Sequence, residues 1–112
     1  MNQFLSLLNA LKIEEAIECH MQGNIQLVLN GRSKKISKER WLNFLKRKFL
    51  NEFTKVEQFK ITKVKNDPNQ MNFLIHMICK RYTGKLFFTE IHVENHWENN
   101  LIYQTNYIIT NH

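Results

Sequence analysis

The chain has two cysteines, one proline, three glycines and a single aspartate, and nowhere an apolar run long enough to cross a bilayer as a helix. Cys19 and Cys79 lie far apart and fit no metal-ligand spacing, so two buried thiols are expected. A disulfide would form only if the fold brought them together. The five histidines make no zinc pattern: His92, Glu94 and His96 share one strand face but stretch too far along it to close on an ion. Neither metal nor cofactor is expected. There are no repeats, low-complexity tracts or linkers, and the opening MNQFLSLLNALK lacks the basic region and small-residue cleavage site of a signal peptide. It reads as the first helix of a cytoplasmic protein, with no membrane association expected.

What remains is a chain of 112 residues, enough for one domain over 1–112 with one modest core. Its 43% hydrophobic and 23% charged content is that of a folded protein. Eight Phe, three Tyr and two Trp make the core aromatic, and such side chains bury large areas. The net charge of +6 is unevenly placed: residues 32–65 hold twelve of the sixteen Lys and Arg but three of the ten acids. In a chain this rich in Lys, Asn and Ile, a solvated helix face is favoured over a nucleic-acid surface.

Phe4, Leu7, Leu8 and Leu11 fall at helical spacing, as do Ile13, Ala16 and Ile17, predicting helices near 2–10 and 12–21 with a bend between them. Ile25–Leu29 reads as a strand closed by the turn Asn30-Gly31. Ser37 is placed to cap a third helix, with Glu39 in its first turn. In that helix Trp41, Leu42, Phe44, Leu45 and Phe49 make an apolar arc, and Arg40, Asn43, Lys46 and Arg47 lie opposite. From residue 55 the period becomes two. Strands are predicted near 55–65, 71–82, 86–97 and 101–110, separated by Asp67-Pro68-Asn69, Thr83-Gly84 and Asn99-Asn100. Strands this long must twist and curl. The expectation is an α+β fold: a cone-shaped, curved antiparallel sheet packed against three N-terminal helices.

Turn lengths suggest a register. A two-residue turn at Thr83-Gly84 sets Ile78 opposite Thr89, His76 opposite Ile91 and Leu74 opposite Val93. The covered face then collects Leu74, His76, Ile78, Phe87, Ile91 and Val93, with Phe59 and Ile61. A one-residue slip would set Glu90, His92 and Glu94 beside Leu74 and Ile78, so the first register is preferred. Asn99-Asn100 places Trp97 opposite Ile102, Asn95 opposite Gln104 and Val93 opposite Asn106. An apolar interior with a few polar groups describes a small-molecule pocket. Its candidate residues are His76, Asn95, Gln104 and Asn106 within, His20 at the mouth, Tyr82 and Trp97 at the rim, and Trp41 from the third helix. The other face gathers Phe73, Ile75, Met77, Phe88, Tyr103 and Tyr107 beside His92, too apolar for open solvent. It is expected to join two copies in a homodimer.

The stretch His20-Met21-Gln22-Gly23-Asn24-Ile25-Gln26-Leu27-Val28-Leu29-Asn30-Gly31 resembles the helix end, strand and glycine turn of the nuclear transport factor 2-like, or SnoaL-like, superfamily. Ser37-Lys38-Glu39 followed by Trp41, Phe44 and Leu45 is similar to its third helix, and Asn99-Asn100-Leu101-Ile102 to its final hairpin. The resemblance implies a cone with a pocket between sheet and helices, usually dimeric through the sheet. It does not fix an activity, because the superfamily holds isomerases, cyclases, dehydratases, hydrolases and non-catalytic members. Catalytic versions commonly carry a pocket Asp or an Asp–His pair. Here the single aspartate, Asp67, sits in a turn.

Three functions are therefore ranked. First is a non-catalytic module binding a small apolar ligand in the cone. Second is an enzyme using His76 or His20 as acid or base. Third is a protein that contacts an acidic partner or nucleic acid through Arg32, Lys34, Lys35, Arg40, Lys46 and Arg47; nucleic acid is the least expected partner.

Overall fold

The computed structural model describes residues 2–111, and within them the side chains of 3–47 and 56–110. Two short helices, α1 (Asn2–Asn9) and α2 (Ile13–His20), lead into strand β1 (Met21–Leu29). Leu11 turns the chain between the helices with a φ of 59°, while the Lys12 N–H donates to the Leu7 carbonyl at 2.8 Å. That left-handed residue ends α1 and supplies the predicted bend.

Asn30 and Gly31 both have positive φ, 48° and 85°, the geometry of a tight two-residue hairpin. The hairpin has a second arm, β2 (Arg32–Ser37), which the sequence reading missed. Ser37 then caps α3 (Lys38–Glu52) as expected, its Oγ accepting the Arg40 N–H at 3.2 Å. The apolar arc of α3 faces inward at Trp41 and Leu42, while Phe44 stays 38% exposed; the Phe49 side chain lies outside the described residues. Lys46 pairs with Glu14 at 2.9 Å and so ties α3 to α2. Both side chains are about half exposed, and such a pair contributes about 0–1 kcal/mol.

Four long strands follow: β3 (Phe53–Asp67), β4 (Gln70–Arg81), β5 (Leu86–Glu98) and β6 (Leu101–Asn111). The sheet order is β2-β1-β6-β5-β4-β3. All neighbours are antiparallel except β1 and β6, which run parallel. The architecture is thus α+β with an open, mixed sheet rather than a purely antiparallel one. Breaks in register along β3–β4 and β5–β6 mark bulges, which bend long strands. The three helices cover one face, and between them lies a single core that includes Phe4, Leu8, Ile17, Ile25, Trp41, Met71, Phe73, Ile75, Met77, Val93 and Ile102.

The structure overturns the assignment of faces on β4. Ile78 pairs with Phe88, His76 with Glu90 and Leu74 with His92, one residue away from the expected register. The loop is responsible. Gly84 donates to the Arg81 carbonyl, Arg81 donates to the Lys85 carbonyl, both at 2.9 Å, and Gly84 has a φ of 84°. That is a three-residue connection with a left-handed glycine, not a two-residue turn. Phe73, Ile75, Met77 and Cys79 therefore enter the core, at 4%, 8%, 5% and 0% exposure, while His76 faces solvent. Phe59 and Ile61 do reach the inner face, beside Met77 and Ile75.

A similar slip occurs in the last hairpin. Asn99 and Asn100, with φ of 53° and 66°, make the expected tight turn, and Trp97 pairs with Ile102. A bulge between His96 and Trp97 then shifts every later pair, so Asn95 meets Thr105 and Val93 meets Tyr107.

Candidate functional site

The inner face is closed by its own side chains. Trp41 is 4% exposed, stacks on Phe44 (centroids 5.6 Å apart, planes at 11°) and meets Tyr107 at 5.4 Å. Aromatic pairs of this kind contribute about 0.5–1.5 kcal/mol each beyond the area they bury. Among the described residues the buried polar side chains are Thr89, Asn95 and Thr105, none of them ionisable. Thr105 Oγ1 donates to Asn95 Oδ1 at 2.6 Å, at 0% and 1% exposure. Tyr107 joins this pair through a side-chain hydrogen bond with Thr105, and burial pushes its phenol pKa up.

The other sequence candidates lie apart from one another. His20 ends α2 with its ring edge-on to Phe4 at 5.7 Å. Its Nε2 is buried with no partner among the described residues, and burial lowers its pKa. His76, on the outer face, lies with its Nε2 3.2 Å from Thr62 Oγ1. Tyr82 is 66% exposed in the β4–β5 loop. Trp97 donates from Nε1 to the Pro68 carbonyl at 3.1 Å and so fastens the β3–β4 turn. Gln104 donates to Asn106 Oδ1 at 3.0 Å, and both alternate with the inward-facing Thr105 and Tyr107. Of the eight pocket candidates, the core thus holds Asn95 and Trp41, with Trp97 packed against it. His76, Gln104, Asn106 and Tyr82 do not line the interior.

The expected contact face changes in the same way. Phe73, Ile75 and Met77 are core residues, and Tyr107 packs on Trp41. Phe88 (45%), Tyr103 (39%) and the exposed His92 remain outside. The corrected outer face carries Leu74, Ile78, Phe88 and Ile108 among His76, Glu90, His92 and Glu94. It also holds a cavity of about 290 Å³ bordered by Lys63, Leu74, His92 and Ile108.

A larger open cavity, about 710 Å³, lies between the β1–β2 hairpin and α3. Leu27, Leu29 and Ile36 form one wall, Trp41 and Phe44 the other, and Lys34, Arg40, Asn43, Lys46 and Arg47 complete the lining. Sequence reasoning named Trp41 as a pocket residue and Lys34, Arg40, Lys46 and Arg47 as a basic surface, but did not join them into one site, because the site depends on β2. A signal was present: a turn of the Asn30-Gly31 type has both central residues at positive φ and calls for a partner strand. Arg32-Lys34-Ile36 supplies one at period two.

No protein-family model and no curated protein matches the sequence. Solved structures do match the fold. A protein of Mesorhizobium loti named a SnoaL-like polyketide cyclase superposes with a TM-score of 0.79 at 14% identity, over 95% of this chain and 92% of the other. A nuclear transport factor 2-like protein of unknown function from Cytophaga hutchinsonii gives 0.74 at 13%, over 97% and 95%. A protein of Streptomyces galilaeus named a hydroxylase gives 0.76 at 11%, over 96% and 83%. Identities this low speak for architecture, not activity, and the activities named differ among themselves. On its architecture, this chain has the fold of the nuclear transport factor 2-like, SnoaL-like superfamily.

Proposed function

We propose that this protein is a non-catalytic, homodimeric binding module, and that it takes a small apolar or amphipathic molecule in the groove between α3 and the β1–β2 hairpin. The observation that carries this reading is the 710 Å³ cavity with its wall of Leu27, Leu29, Ile36, Trp41 and Phe44. Its size is ordinary for a small-molecule site. The filled interior argues in the same direction: its buried Asn95 amide and Thr105 hydroxyl are engaged with each other, with no acid–base pair among the described residues. Backbone-amide NMR with small apolar fragments tests the reading. Shifts centred on Leu27, Ile36 and Phe44 are expected, and shifts confined to other parts of the chain would overturn it.

The dimer is proposed through the outer sheet face. Phe88 and Ile108 are 45% and 57% exposed there, and the half-buried Ile78 lies between Phe88 and β3, whereas Leu74 on the same face is buried. Charge complementarity supports a second copy as the occupant. On this face β3 carries Lys60 and Lys65, and β5 carries Glu90 and Glu94 in the same two rows. A two-fold axis along β4 sets β3 of one copy over β5 of the other, so each lysine row meets a glutamate row. Light scattering at micromolar concentration should return twice the chain mass. A monomeric mass would refute this arrangement.

A further inference from the structure

We propose that the ligand of the α3 groove is an amphipathic organic anion: an apolar body against Ile36 and the Trp41–Phe44 pair, with one acidic head held by Lys34, Arg40 and Arg47. This deepens the binding reading above and rests on it.

The argument is one of charge sign and availability. The lining holds four cationic side chains and no acid. Lys46 is engaged by Glu14 at 2.9 Å, whereas Lys34, Arg40 and Arg47 have no carboxylate partner among the described residues. They come from two elements, Lys34 from β2 and the arginines from α3, so they flank the cavity from both walls. Cations of one sign along a cleft with low-dielectric walls focus the field and raise the local concentration of anions. Guanidinium groups also hold carboxylate, sulfonate or phosphate oxygens through paired N–H donors.

The groove itself selects against simpler ligands. A bare inorganic anion would leave Ile36 and Phe44 partly in water. A neutral hydrocarbon would draw nothing from Lys34, Arg40 and Arg47, which are exposed and would stay hydrated.

Two dyes with one body separate the class of ligand from the existence of the site. 8-Anilinonaphthalene-1-sulfonate carries the acidic head, and N-phenyl-1-naphthylamine is the same skeleton without it. Binding is read as dye fluorescence excited by energy transfer from tryptophan. The sulfonate should bind about tenfold or more tighter than the neutral dye. The double variant R40Q/R47Q should erase that preference while leaving the neutral dye and the melting temperature unchanged, and Phe44→Ala should weaken both dyes. Equal affinity for the two dyes, unaffected by R40Q/R47Q but weakened by Phe44→Ala, would overturn the anionic class and leave the groove standing. Dye binding indifferent to Phe44→Ala, or no binding of either dye, would overturn the groove itself.

Discussion

Replacing Thr105 by Val tests the interior and the strand register together. The two side chains are nearly the same shape, so the change removes one hydroxyl and little volume. That hydroxyl donates to Asn95 Oδ1 at 2.6 Å, and both residues are out of water, at 0% and 1% exposure. Water cannot replace the lost donor, so the amide oxygen is stranded, a penalty of about 1–3 kcal/mol. For a domain of this length that corresponds to a melting temperature lower by roughly 4 °C or more per kcal/mol. Asn95→Leu should cost less, about 0.5–1.5 kcal/mol, because the Thr105 hydroxyl loses its acceptor but keeps Tyr107 as a partner. The double variant N95L/T105V removes both partners of that bond, though the Tyr107 phenol still loses Thr105, and should lie closer to wild type than the sum of the singles, with a coupling of about 1 kcal/mol. Urea unfolding of the four proteins, at one fixed concentration, measures the cycle. In the register expected from turn length, Asn95 opposes Gln104 and Thr105 points outward. There Thr105→Val would fall within about 0.5 kcal/mol of wild type, as surface changes do. A neutral T105V, or costs that simply add, would refute the inward pairing.

Gly84, at a φ of 84°, should lose about 1 kcal/mol on Gly84→Ala because a Cβ is strained there whatever the space. Gly23, with no positive φ and open space around its Cβ position, should be neutral or gain up to about 1 kcal/mol on Gly23→Ala; the two urea midpoints decide. His20 has a pKa lowered from 6.5 by burial, so the unfolded chain holds its proton more readily. Its contribution to stability is present above pH 6.5 and is lost as pH falls through the lower folded value. Urea midpoints from about pH 8 to about pH 5 should therefore decline more steeply in wild type than in His20→Gln, and parallel declines would count against that linkage. For the dimer, Ile108→Lys puts a charge on the outer face and should halve the mass seen by light scattering without unfolding the chain; an unchanged dimer mass would place the interface elsewhere.

Much of the fold was legible because it is set locally. Ser37 caps α3, Asn30-Gly31 and Asn99-Asn100 turn tightly, and the change of period near residue 55 divides helix from strand. Each depends on residues a few positions apart. β2 was invisible to the hydrophobic pattern, since as an edge strand it carries Arg32, Lys34 and Lys35, charges that keep such edges from pairing further. The groove, which needs β2 as a wall, was hidden with it.

The sequence by itself determined the α+β class, the order of the elements other than β2, the superfamily resemblance and the inward faces of β5 and of α3 at Trp41 and Leu42. Only the tertiary structure decided which face of β4 turns inward, and the physical reason lies in its composition. Phe73, Ile75 and Met77 alternate with Leu74, His76 and Ile78, so both faces are apolar enough to be buried and the period of two does not choose between them. A left-handed Gly84 in a three-residue loop and a bulge beside Trp97 made the choice. Those two backbone details moved His76 out to solvent, brought Asn95 and Thr105 together in the core, and left the cavity lined by Trp41 as the site that remains open.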